Sequence, residues 1–238
     1  MKMHFSAFVV SLASLVASTA ATAASIHVKP TTVNLGPGQS AATITITNEG
    51  DKPLNAQVRV FGWDQQQNKD VLGATDKLVA SPPATTLAAG KSQSIRLVRV
   101  DKTAPTSEET YRLVVDEIPD KADVTQVGVA VQMRYSLPVF VMPKAGMKKA
   151  DLTVTAQVSG NSLTVSAQNR GEVHAQAANV AVVYAGNVAV PVVNGLLGYV
   201  LPGKSMQWTV ILPADAMAKG KPMGVTATFN GQPFNVNL

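Results

Sequence analysis

The chain runs to 238 residues with a formal net charge of +5, 46% hydrophobic residues and no cysteine. That length can bury one large core or two ordinary ones, and the lack of cysteine means that burial alone must hold them. Basic residues are scattered, with Lys148-Lys149 the only adjacent pair beyond the first two dozen residues, so the clustered basic stripe with interleaved aromatics that nucleic acid binding calls for is missing.

Residues 1–24 read as a secretory signal. Lys2 gives a positive start, Phe5 to Val16 is a short apolar run, and Ala21-Thr22-Ala23-Ala24 offers small residues for cleavage. The run is too short to span a bilayer and no later stretch is long enough, so the expected product is exported, with no membrane insertion. The first extended segment holds Ile26, Val28 and Val33 and stops at Gly36-Pro37-Gly38. Ala42 to Asn48 and Leu54 to Val60 alternate as strands, and Trp63 precedes the polar stretch Gln65 to Asp70, read as a loop. Beyond Ser81-Pro82-Pro83 and Leu87 to Ser92 come the strands Ser94 to Val100 and Tyr111 to Ile118. The longest alternation follows: every odd position from Val127 to Val141 is apolar, which predicts one strand of roughly twice the usual ~5 to 6 residues.

Pro143 to Lys149 breaks the pattern and reads as a hinge. A second strand set follows: Leu152 to Val158, Leu163 to Ala167, Ala178 to Val183, Val188 to Val193, Gln207 to Leu212, Val225 to Phe229 and Phe234 to Leu238. No helical periodicity rivals these signals. The expectation is an all-β chain of two immunoglobulin-like β-sandwich domains, residues 25–143 and 149–238, joined by a short hinge at an angle. The halves share an architecture without an obvious sequence repeat.

Beyond the signal only His27 and His174 remain, each without an acid or serine arranged as a motif. No phosphate loop, zinc motif or nucleophile elbow is present. No catalytic residue, metal ligand or cofactor is therefore assigned, and the chain reads as a binding module and not an enzyme. Two features exceed plain scaffold. Glu117 shares its alternation phase with Tyr111, Leu113 and Val115, and a carboxylate on the apolar side needs a cation, for which Arg96 is the candidate; a strand-end glutamate reaching solvent is the alternative. Arg112 and Arg134 lie on consecutive strands, where hairpin pairing could bring them together around an anion such as a chain-terminal carboxylate; exposed charges that discourage edge pairing explain them equally well.

Ser81-Pro82-Pro83, then Leu87, Gly90, Ser92 and Ile95-Arg96-Leu97, then Tyr111 through Glu117-Ile118-Pro119, then Val127 to Val141, resemble in order and spacing the PapD-like periplasmic pilus-assembly chaperones. Gly198 to Ser205 with Trp208 looks like the branch serving archaic and spore-coat-type pili. The resemblance implies two sandwiches at an angle, glutamate at the interdomain cleft, and a last first-domain strand donated to a pilus subunit that lacks its own, before an outer-membrane usher exchanges it. By position the donor residues are Val127, Val129 and Val131, with Met133 and Tyr135 extending the row. The family's usual arginine and lysine anchors fall at Thr32 and Ser136, which cannot hold a carboxylate, so either the anchor has moved, with Arg112 and Arg134 the candidates, or the carboxylate is held weakly. The resemblance also leaves open a self-capping homodimer of the free protein. The alternative reading is an exported adhesin or fibre subunit with two such domains.

Overall fold

The computed structural model describes residues 26–101, 103–118, 132–143 and 149–238. Its strands are β1 (Ile26–Lys29), β2 (Val33–Leu35), β3 (Ala41–Asn48), β4 (Leu54–Gln66), β5 (Lys69–Ala74), β6 (Leu78–Ser81), β7 (Ala84–Leu87), β8 (Ser92–Arg99), β9 (Glu109–Ile118), β10 (Arg134–Val141), β11 (Leu152–Ser159), β12 (Ser162–Asn169), β13 (Ala175–Tyr184), β14 (Val188–Val200), β15 (Ser205–Ile211), β16 (Gly224–Phe229) and β17 (Gln232–Asn237). The first ten form two sheets, ordered β1-β3-β8-β6 and β2-β10-β9-β4-β5, with β7 also on β4. The other seven form β11-β12-β15 and β14-β13-β16-β17. Alternate side chains of each facing pair fill one core, so the chain is two immunoglobulin-like sandwiches.

The first core holds Ile44, Ile46, Ile95, Leu97, Leu113, Val115 and Val139, all fully enclosed. Two sequence expectations change here. The polar stretch Gln65 to Asp70 is not a loop but the tip of the β4–β5 hairpin, turned by Gln67 and Asn68 at φ 51° and 60°. A glutamine run hides a strand because alternation needs apolar residues to be visible, and here both flanks are polar. Strand β14 also continues past Val193, where Asn194-Gly195 suggests a stop; a register shift beside Asn179 of β13 carries the pairing onward to Val200.

In each sandwich a buried asparagine sits where the chain leaves one sheet for the other. Asn48 at the end of β3 accepts from Gly50 N at 2.9 Å and donates to Lys52 O and Leu87 O. Asn169 at the end of β12 accepts from Gly171 N at 2.9 Å and donates to Val173 O and Val200 O. Their own amides donate to Lys91 O and Lys204 O, in turns where Gly90 and Gly203 take φ 68° and 69°. Here is the repeat that sequence comparison of the halves misses. Gly171 is obligatory for a further reason: a Cβ there would meet Lys149 O at 2.2 Å.

The sandwiches meet through Trp63 and Phe140 of the first and Tyr199 and Leu201 of the second. Trp63 meets Tyr199 edge-on at 5.5 Å between ring centroids. Buried Gln65 donates to Tyr199 O and accepts from Leu201 N, both at 2.9 Å, so its amide works as a piece of strand. Glu108, fully enclosed, accepts from His174 N at 3.0 Å and meets His174 Nδ1 at 2.9 Å, while His174 stacks on Phe140 at 3.5 Å. Lys204 reaches Asp64 at 2.6 Å and holds its carboxyl below the usual range.

Candidate functional site

Strand β10 is flanked on one side by β9 along its whole length and on the other by β2, in parallel, only at Val139–Val141. From Arg134 to Pro138 its second side is open among the described residues. Glu117 N donates to Met133 O at 3.0 Å. In an antiparallel pair hydrogen-bonded and non-hydrogen-bonded positions alternate. Counting on from that bond, Tyr135, Leu137, Val139 and Val141 turn their backbone groups toward β9. Arg134 and Ser136 therefore present N–H and C=O to the open edge, while Pro138 presents only a carbonyl. Proline here costs no ladder bond and marks the end of the edge.

The inward row is Tyr135, Leu137, Val139 and Val141, packed into the first core. The Tyr135 hydroxyl donates to Ile26 O on β1, tying the open rim of one sheet to the other. Met133 is partly exposed. Val127, Val129 and Val131 lie outside the described residues.

The outward face of β4, β9 and β10 carries the charge. Asp116, with a side chain only 13% exposed, receives Arg59 from β4 and Arg134 Nε from β10. Burial alone would push the Asp116 carboxyl up, and the two guanidinium hydrogen bonds more than offset it, holding it below the usual range. Arg112 lies 3.6 Å over the Trp63 ring and pairs with Asp70 at 3.3 Å. Burial lowers its pKa, and a guanidinium so placed stays charged.

Hairpin pairing does not bring Arg112 and Arg134 together. Arg134 faces Asp116 and Arg112 faces Pro138, four residues or about 13 Å apart along the strand. Each already holds a carboxylate. Glu117 and Arg96 are not partners either: Arg96 is exposed on β8, between Thr43 and Ser81 in the opposite sheet, and Glu117 Oε2 accepts from Met133 N at 3.3 Å. Beside the junction of Trp63, Phe140, Tyr199 and Leu201, the polar side chains that join the sandwiches among the described residues include Glu108, His174, Gln65, Asp64 and Lys204. Sequence reasoning singled out His174 but found it no partner, and gave the others no joining role, because Glu108 and Gln65 sit in polar stretches with no apolar phase to give them a direction. A buried pair on the hinge side was missed as well: Arg99 forks onto Glu109 with two bonds of 3.0 Å, and Tyr111 donates to the same carboxylate at 2.9 Å.

Among the described residues no group of three His, Cys, Asp or Glu side chains could hold a metal ion, and no helix is long and apolar enough to cross a membrane.

Residues 25–147 match the family profile of the pili and flagellar-assembly chaperones, PapD N-terminal domain. The chain is 26% identical over 142 residues to the chaperone protein AfaB of Escherichia coli, an alignment that takes in 53% of this chain and 55% of AfaB, so it spans about half the length of that curated relative. Among solved structures it is similar to a chain of the CsuC–CsuE chaperone–tip adhesion subunit pre-assembly complex from the archaic chaperone-usher Csu pili of Acinetobacter baumannii, with TM-score 0.65, 20% identity, and 90% and 98% of the two chains covered. It is also similar to a chain of the Salmonella enterica SafA pilin–SafB chaperone complex, with TM-score 0.61, 19% identity, and 92% and 99% covered. At these identities the structural likeness speaks for the fold.

Proposed function

The chain belongs to the pili and flagellar-assembly chaperones, and we propose that it works in the periplasm as a non-enzymatic chaperone, capping a pilus subunit by lending it the β10 strand and its N-terminal continuation. The observation that carries this is the open edge from Arg134 to Pro138. An incoming subunit strand gains backbone hydrogen bonds at Arg134 and Ser136 and stops at Pro138, where no N–H is left to give. In sequence the inward alternation continues through Met133, Val131, Val129 and Val127. Burying each in a subunit groove is worth roughly 1.5 to 3 kcal/mol before ordering costs, enough to hold a partner without covalent chemistry.

The subunit's terminal carboxylate is received at Arg134. Its side chain is 69% exposed and spends Nε on Asp116, leaving the terminal nitrogens for a second anion. Arg112, 14% exposed and stacked on Trp63, is the deeper candidate. In this reading residues 1–24 are the export signal, residues 25–143 and 149–238 are the two domains, an outer-membrane usher takes the subunit over, and the free protein can cover its edge as a homodimer.

The test is affinity purification from the periplasm of the native host, comparing the wild type with a Val129→Asp, Val131→Asp double variant shown by circular dichroism to be folded. A pilin-sized partner that comes down with the wild type and not with the variant supports strand donation. Equal recovery overturns the donor assignment. A variant that cannot fold returns these residues to the protein's own core and favours a fibre subunit.

A further inference from the structure

The inward row of β10 is uniformly apolar and the sequence continues that row without a break from Val141 back to Val127. Such a row does not specify its own register. A two-residue slip against β9 still places an apolar side chain in every inward position, and a one-residue bulge turns everything N-terminal to it onto the opposite face. Something other than hydrophobic phase must fix the strand.

The C-terminal end is fixed by Phe140, fully buried between Trp63, Tyr199 and His174. Between Phe140 and the start of the strand, the inward contacts are all of the interchangeable kind except the Tyr135 hydroxyl on Ile26. At the N-terminal end the outward face supplies the discrimination. Arg134 stands directly opposite Asp116, and Arg59 reaches the same carboxylate from β4. A shift of one residue either way puts Met133 or Tyr135 there, and a shift of two puts Gln132 or Ser136 there; none of these can replace a guanidinium. Glu117 bonds the backbone of Met133 in both directions, with N to Met133 O and Oε2 from Met133 N.

We infer that Asp116 is a positioning residue: with Arg59 and Arg134 it forms a register lock that decides which face the residues N-terminal to Arg134 turn toward a bound subunit. The inference rests on the strand-donation reading for its consequence but not for its test. Phe140 pins one end of the strand and Asp116 the other, so that the donated side chains leave the sandwich in a fixed phase.

The test uses the free protein, whose lack of cysteine makes engineered pairs unambiguous. Gln132 falls opposite Ile118 in the native register, so an Ile118→Cys, Gln132→Cys pair reports that register and an Ile118→Cys, Met133→Cys pair reports a slip. With Asp116 intact the first pair should oxidise at least tenfold faster than the second. Asp116→Asn should abolish that preference, and Asp116→Glu, which keeps a carboxylate for both arginines, should restore most of it. Arg134→Gln, a change at an exposed position that leaves the core untouched, should act as Asp116→Asn does if the latter folds poorly. An unchanged tenfold preference in Asp116→Asn or in Arg134→Gln would overturn the lock. Because no subunit is present, a failure here leaves the donor reading standing, and a failure of subunit capture leaves the lock standing.

Discussion

The two sandwiches are built on the same frame, but the strands of one are charged and those of the other are neutral. Asn48 and Asn169 make matching hydrogen bonds to the residue two ahead, to the carbonyl four ahead and to a carbonyl across the core. Yet the strands of the first carry Lys29, Arg59, Asp64, Lys69, Asp70, Arg96, Arg99, Glu109, Arg112, Asp116, Glu117 and Arg134, whereas β11 to β17 carry no Asp, Glu, Lys or Arg at all. The outward face of β11, β12 and β15 is serine, threonine and glutamine apart from Ile211. A shared backbone device thus fixes the fold, and charge is concentrated on the sandwich that contains β10, the strand proposed to be held in one register and presented to a partner. The second sandwich holds the first by a few contacts at Tyr199, Leu201, His174 and Lys204.

The comparison can be broken at its common element first. Asn48→Ala and Asn169→Ala should each cost on the order of 3 kcal/mol, because each leaves buried backbone groups without partners. Urea unfolding followed by tryptophan fluorescence would show whether the losses are alike; a large loss in one sandwich and none in the other would mean that the two staples are not equivalent. Glu108→Ala comes next. It strips the buried acceptor from His174 and should cost about 2 kcal/mol, and calorimetry should then resolve two transitions in place of the single one expected of the wild type.

Acid should separate the halves more gently. Among the described residues the carboxyls held below their usual values are Asp64, Asp101, Glu109 and Asp116, all in the first sandwich. For Glu109 burial acts upward and is outweighed by hydrogen bonds from Arg99 and Tyr111. A depressed carboxyl stabilises the fold fully above its unfolded value, 3.8 for Asp and 4.5 for Glu, and that stabilisation is lost as pH falls through the lower folded value. Between pH 5 and 2 the first sandwich should therefore lose thermal stability and the second should hold, measured by calorimetry on the Glu108→Ala variant. The smallest effect is expected from Thr164→Lys, which puts a charge on the neutral outward face; stability should change by no more than about 0.5 kcal/mol.

Much of this was legible in the residues. Alternation located both strand sets and the end of β10 at Val141, because those strands face an apolar core on one side and solvent on the other; the earlier part of the predicted long run, Val127 to Val131, lies outside the described residues. The hairpin tip at Gln67-Asn68 and the extension of β14 were not, since one lacks apolar phase and the other passes through a turn-like Asn-Gly. Site chemistry was legible only in part. Arg112 and Arg134 stood out as strand charges, but their separation depends on register, which alternation cannot supply. Glu108 and His174 became partners only once the two sandwiches docked.

The most direct measurement is backbone amide exchange by NMR on the free protein and on a purified complex with its subunit. Arg134 and Ser136, whose amides face the open edge, should exchange at least tenfold more slowly in the complex, while Tyr135 and Leu137, already bonded to β9, should change little. A complex that forms while Arg134 and Ser136 exchange as they do in the free protein would show that the subunit binds elsewhere and that this strand is not the one donated.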